Sequence, residues 1–263
     1  MPDWLAVIIL GVIEGITEFL PISSTGHLLL IENRHWVPPQ SEMFNIVIQC
    51  GAVLAVFAVF SRRVKELLLG LGTPATRDYL LKLTVAFALT AGGGFLATRM
   101  GFKLPKEVAP IAWATLVGGI LILAIEWALR GRRFGSEVTW TVAIAVGLAQ
   151  LLAAVVPGTS RAAATILIAL ALGLRRPAAT EFSFLLGIPT LLAAGGYEIV
   201  RELGEPSPEQ TAWSLVVLGT IVSAAVAFLV VRWLLRFVQT HTFVAFGWYR
   251  IALGILMLAV PGR

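Results

Sequence analysis

The sequence predicts an all-α membrane protein made of two inverted halves, and three observations carry that prediction. The chain is 58% hydrophobic and only 13% charged, whereas a soluble domain carries about 25% charged residues. It divides into ten apolar runs separated by charged or Pro/Gly punctuation, six of them long enough to cross a bilayer. A shift of 136 residues then lays one half on the other without a gap. Gly11 falls on Gly147, Pro21 on Pro157, Ser24 on Ser160 and Gly51 on Gly187, with Glu14 on Gln150 and Ser23 on Thr159.

The elements follow in order. The first run, 4–20, ends at the break Pro21-Ile-Ser-Ser and continues as a short run, 24–33. The sixth, 138–156, ends at Pro157-Gly-Thr-Ser and continues as 160–173. A helix broken at membrane depth is tolerated only where it lines a cavity, so each pair is expected to form a re-entrant hairpin. The full spans are 43–60, 78–98, 110–130, 178–200, 211–236 and 243–261, six in all. Each half of this single polytopic domain, about 1–130 and 137–263, holds one hairpin and three spans. Three is odd, so the second half must insert upside down, an architecture that places its site near the midplane.

The N-terminus is not read as a signal peptide. It lacks a basic leading segment, carries Asp3, and has Glu14 and Glu18 where such a peptide is apolar. The single cysteine, Cys50, excludes an intramolecular disulfide. The net charge of +5 sits in loops and reads as positive-inside topology, with no nucleic-acid partner. One side collects ten basic residues, from Arg62, Arg63 and Lys65 through Arg175, Arg176 and Arg236. The other collects six, Arg34, Arg99, Lys103, Lys106, Arg201 and Arg263, diluted by acids that include Glu205 and Glu209. The first side is therefore expected in the cytoplasm, with 61–77 as its longest loop and both termini outside. Trp4, Trp36, Trp140 and Trp213 near run ends fit an interfacial aromatic belt.

The chemistry concentrates at the two breaks. Glu14 and Glu18 lie four residues apart on one helix face, inside an apolar segment. A carboxylate at mid-bilayer costs about 2.5–3.5 kcal/mol on insertion scales, so an intramembrane acid marks function by default. Two such acids need a metal or an arginine between them. Arg161 is an intramembrane cation at the second break, where Gly158, Thr159 and Ser160 open a helix. Ser23, Ser24 and Thr25 open a helix at the first. Helix N-termini favour anions through unpaired N–H groups and the dipole. Two such ends, Arg161, the hydroxyls including Thr165, and the acidic pair suit a phosphate with a divalent cation. Ser24 and His27 are one turn apart, a spacing that lets an imidazole take a hydroxyl proton. Singly, these serines and threonines would more often bond a backbone carbonyl, and His27 alone would more often be a buried structural residue. Glu126 is expected to snorkel to the interface and Arg250 to support the site, while Glu181 reads equally well as a helix N-terminal acid.

At these residues the chain resembles the undecaprenyl-diphosphate phosphatases of the bacitracin-resistance type. Glu14-x-x-x-Glu18, then Phe-Leu-Pro-x-Ser-Ser-Thr-Gly-His27, Pro157-Gly-x-Ser-Arg161 and Glu181-Phe-Ser-Phe-Leu-Leu carry the likeness, which runs the full length. Ala162 stands where the family's second motif has a serine after its arginine. The resemblance implies an enzyme of the bacterial inner membrane with its site facing outward. It would remove the terminal phosphate of a C55 polyprenyl diphosphate with Mg²⁺ or Ca²⁺, and it leaves room for a homodimer. By position it implies catalytic roles for Ser24, His27, Glu18 and Arg161, with Glu14 and Glu18 holding the metal. Ser23, Thr25, Gly158, Thr159, Ser160 and Thr165 are the expected substrate contacts. Ser24 is read as nucleophile with His27 as base; a phosphohistidine route and direct water attack stand beside it. The rival reading is a lipid-phosphate flippase or anion transporter, since inverted repeats with broken midplane helices are also the transporter pattern. His27 beside Ser24 facing an acidic pair favours the enzyme.

Overall fold

The computed structural model describes residues 1–102, 105, 107–204 and 212–259, and among them every regular element is helical. The first broken helix is α1 (Asp3–Thr17) and α2 (Ser24–Asn33); the second is α7 (Trp140–Val155) and α8 (Arg161–Ala171). Between and after them lie α3 (Glu42–Val59), α4 (Ser61–Leu69), α5 (Pro74–Arg99), α6 (Val108–Ala128), α9 (Arg176–Gly204), α10 (Trp213–Thr240) and α11 (Val244–Ala259). Five of these, α3, α5, α6, α9 and α10, are long and apolar enough to cross a membrane. The sixth expected span, 243–261, is a 16-residue helix within the described residues.

Two features depart from the sequence reading. The expected basic loop 61–77 contains α4, which Phe60 breaks from α3. Leu67 is buried in the main core there while Arg62 and Leu69 are exposed, so the segment is a helix packed on the bundle by one face. Glu126 does not snorkel. It is 3% exposed, pairs with Arg176, and accepts from the backbone N–H of Phe243 at 2.8 Å. Glu181 pairs with Arg63 at 2.9 Å and so joins α9 to α4. Lys103, Lys106, Glu205, Glu209 and Arg263, used in the topology argument, lie outside the described residues.

Small residues set the helix pairing. Without a hydrophobic drive between helices in lipid, close backbone approach does much of the work. A Cβ on Gly11 or Gly15 of α1 would lie 2.7 Å from the backbone oxygen of Gly219 or Ser223 in α10. Gly119 of α6 meets the Gly247 carbonyl of α11 in the same way, also at 2.7 Å. Thus α1 packs on α10, α7 on α5, and α6 on α11, while α3 packs on both α10 and α9. Arg63–Glu181, Arg176–Glu126 and the paired backbones of Gly135 and Leu174 draw 61–69, 126–135 and 174–181 to one end of the bundle. The two breaks meet inside it.

Candidate active site

Each tip is built by a serine in an uncommon backbone conformation. Ser23 has φ 74° and Ser160 has φ 67°, and each side chain caps the helix that follows, accepting from Gly26 N–H at 3.4 Å and from Ala163 N–H at 3.2 Å. A positive φ outside glycine costs on the order of 1–3 kcal/mol and persists only where the surroundings over-determine it. The equivalent caps are 137 residues apart, one more than the sequence shift suggests, because the second tip has an extra residue between its proline and its cap. Gly158 fills that place at φ +92°, and a Cβ there would strike the Ile111 carbonyl of α6. The structural partner of Ser160 is therefore Ser23, and Ser24 matches Arg161 as the first residue of its helix.

That register brings three predicted groups into one chain of contacts. The Ser24 hydroxyl donates to Glu18 Oε2 at 2.8 Å, and Glu18 Oε1 accepts from Arg161 Nη2 at 3.3 Å. Glu18 and Ser24 are both buried, at 7% and 8% exposure. Arg161 lies with Cζ 5.1 Å from the Phe19 ring centre, a cation–π contact, and Nη1 donates to the Ser183 carbonyl of α9 at 3.4 Å. Gly187 faces the guanidinium, and any side chain there would displace it. Arg161 Nε has no hydrogen-bond partner, so the fork keeps donor capacity.

Glu14 stands one turn before Glu18, fully buried, with neither carboxyl oxygen hydrogen-bonded. Such an orphaned group requires an explanation, and an ion is one of the standard ones. Among the described residues no third His, Cys, Asp or Glu completes a protein-only metal cage. The donor set instead suits a hard cation that takes one or two carboxylates and fills its shell with water and phosphate oxygens, as Mg²⁺ does.

The remaining predicted residues divide. His27 faces away from the Ser24 hydroxyl: Nδ1 lies 2.7 Å from the Ser23 carbonyl and Nε2 2.7 Å from the Tyr249 hydroxyl, with the rings stacked at 5.6 Å. Because a carbonyl only accepts, Nδ1 carries a proton, and in the neutral ring Nε2 then accepts from Tyr249. Thr165 is fully buried behind the site; its hydroxyl donates to the Arg161 carbonyl at 2.8 Å and it pairs with Ser183 Oγ. Thr25 is exposed, Thr159 and Ser160 are half-buried, and Gly158 is buried at the tip. Sequence reasoning missed Tyr249, gave Ser183 no role beyond its place in the motif that opens at Glu181, and left Arg250 a general role. A lone arginine inside the apolar run 243–261 was the available signal for that region.

Two broken helices meeting at an acid–hydroxyl–guanidinium cluster, in a bundle with membrane-length apolar helices, define a polytopic membrane protein equipped to handle an anionic group. The chain belongs to the family described as bacitracin resistance protein BacA, matched over residues 7–256. It is 49% identical to an undecaprenyl-diphosphatase of Rhizobium etli over 98% of this chain and 97% of the relative. It is 46% identical to the undecaprenyl-diphosphatase of Xylella fastidiosa, over 98% of each chain. The undecaprenyl-diphosphatase of Xanthomonas oryzae is also 46% identical, over 98% of this chain and 97% of the relative.

Proposed function

We propose that this protein hydrolyses undecaprenyl diphosphate to undecaprenyl phosphate and inorganic phosphate, returning the lipid carrier to cell-envelope glycan synthesis. The observation that carries the reading is the Ser24 hydroxyl donating to Glu18 while Arg161 holds the other oxygen of the same carboxylate. A serine is a weak nucleophile until a neighbouring base takes its proton, and Glu18 is the group within reach. Ser24 Oγ attacks the terminal phosphorus, its proton passes to Glu18, and the bond to the bridging oxygen breaks, releasing undecaprenyl phosphate. Water then attacks the phosphorus of the phosphoserine, the Oγ–P bond breaks, Glu18 returns its proton to Ser24 Oγ, and phosphate leaves carrying the water's oxygen. Arg161 and the N-termini of α2 and α8 offset the charge on the phosphoryl oxygens.

Glu14 and Glu18 would hold a divalent cation, Mg²⁺ or Ca²⁺, which when bound supplies Lewis-acid stabilisation of the phosphoryl oxygens. His27 belongs to the support of the first tip in this scheme, and the base role passes to Glu18. The exchange of partners between halves, α1 on α10 and α7 on α5, with equivalent caps at Ser23 and Ser160, supports the inverted-repeat reading. The basic side chains gathered at the end that holds α4 support placing that end in the cytoplasm and the site toward the exterior. A single cysteine introduced within 61–77 in a Cys50→Ala background should then be protected from impermeant thiol reagents in intact cells. Labelling there would invert the orientation. The function itself is tested by phosphate release from lipid diphosphate with purified protein in detergent. Hydrolysis needs no second compartment and transport does, so absence of release would favour a flippase or anion transporter.

A further inference from the structure

Arg250, in the middle of α11, is fully buried and forms no ion pair among the described residues. A guanidinium has five N–H donors in one plane, and each finds a backbone carbonyl. Nε donates to Thr115 at 3.1 Å; Nη1 donates to Pro21 at 3.4 Å and Thr159 at 2.9 Å; Nη2 donates to Ala114 at 3.2 Å and Gly158 at 2.9 Å. Two acceptors belong to α6, one to the first tip and two to the second. A single nitrogen, Nη1, therefore ties both tips together.

We propose that Arg250 is a positioning residue for the reaction, holding both hairpin tips against α6 so that Ser24, Glu18 and Arg161 stay in register. The proposal rests on the phosphatase reading of those three residues. With all five donors committed, Arg250 has none left for a phosphate, so it acts through the backbone and not on the substrate. The carbonyls it holds are local to the strained caps. Thr159 immediately precedes Ser160, and Pro21 lies two residues before Ser23. Ser24 and Arg161 each follow a cap directly, so orienting these peptide units orients both reactive side chains. A lysine cannot substitute, because an ammonium has three donors and no planar fork. The fork also needs Gly118 beside it: a Cβ on Gly118 would overlap the guanidinium. Gly118→Ala thus displaces the clamp without altering Arg250 itself.

The test compares wild type, Arg250→Lys and Gly118→Ala in detergent by amide hydrogen exchange, thermal melting and steady-state kinetics. The expected result is exchange at least tenfold faster at 22–27 and 158–163 in both variants, with α6 and α11 protected as in wild type. Turnover should fall at least tenfold while KM stays within about threefold, because alignment is lost and substrate contacts are kept. Wild-type exchange at the tips in both variants would overturn the proposal. So would equal loosening along α6 and α11, which would make Arg250 a bundle strut, or a raised KM with unchanged kcat, which would make it a substrate contact. If Arg250→Lys does not fold, Gly118→Ala decides alone. Absence of phosphate release by the wild type would sink the phosphatase reading, and the exchange measurements would still decide whether the clamp exists.

Discussion

At the first tip, Ser23 caps α2 and the next residue is Ser24, whose hydroxyl meets Glu18. At the second, Ser160 caps α8 with nearly the same φ and the next residue is Arg161, which meets the other oxygen of that carboxylate. The helices leading into the tips differ in parallel. Glu14 in α1 has no hydrogen-bond partner, whereas Gln150 in α7 donates through Nε2 to Thr90 at 3.2 Å and Thr190 at 2.9 Å. One backbone device thus appears twice with different side chains. The first copy supplies the acid and the hydroxyl, and the second supplies the cation and a polar strut anchored through its amide nitrogen, with Gln150 Oε1 unpaired. The shared strain at the caps belongs to the device, and the hydroxyl and guanidinium that meet Glu18 belong to the residues just beyond it.

The largest expected effect breaks the first tip. Ser24→Ala should lower turnover on the order of 10³-fold or more, since no other group replaces a covalent nucleophile. Rapid quenching with labelled lipid diphosphate should trap phosphoserine in wild type only. Residual activity above a few per cent with no trapped phosphoenzyme would transfer the role to His27 or to water.

Next comes the contrast between Glu14 and Gln150. Chelation by EDTA should abolish turnover and added divalent cation should restore it, while Glu14→Gln should cost on the order of 10²-fold and weaken the cation dependence. Full activity in EDTA would leave the acidic pair as proton-transfer groups only. Arg161→Lys, at the second tip, should lower turnover at least tenfold, about 1.4 kcal/mol, because the charge stays and the planar fork goes. Wild-type turnover in that variant would remove Arg161 from direct phosphate contact.

Gln150→Glu sharpens the comparison from the other side. It replaces an amide donor with an acceptor facing two threonines whose own hydroxyls donate to carbonyls, Thr90 to Gly147 and Thr190 to Leu186. Stability should fall by roughly 1–3 kcal/mol while activity per folded molecule holds, read by thermal melting beside kinetics. A large loss of turnover without loss of stability would give the second half a catalytic acid position of its own. The smallest effect should be common to both tips. Ser23→Ala and Ser160→Ala each remove a cap worth about 1 kcal/mol, and their melting temperatures should drop alike. A drop confined to one would show that the two caps are not equivalent.

The sequence by itself determined the helical class, the two broken helices and the residues gathered at the breaks. Apolar composition, proline punctuation and acids in an apolar segment are local signals, and each survives without knowledge of packing. The run 24–33 is found as α2 with those bounds, and Glu18, Ser24 and Arg161 come together as their motifs suggested. Three things required the tertiary structure. Helical spacing put His27 one turn from Ser24, yet a serine hydroxyl has only rotamers to choose among, and it donates to Glu18 across the turn while the imidazole meets Tyr249. The one-residue difference between the tips was hidden because prolines and glycines align before the cap geometry is known. Arg250 was legible as an unusual cation but not as a clamp, since its five acceptors are backbone carbonyls from three separated segments, and a carbonyl leaves no trace in the choice of side chain.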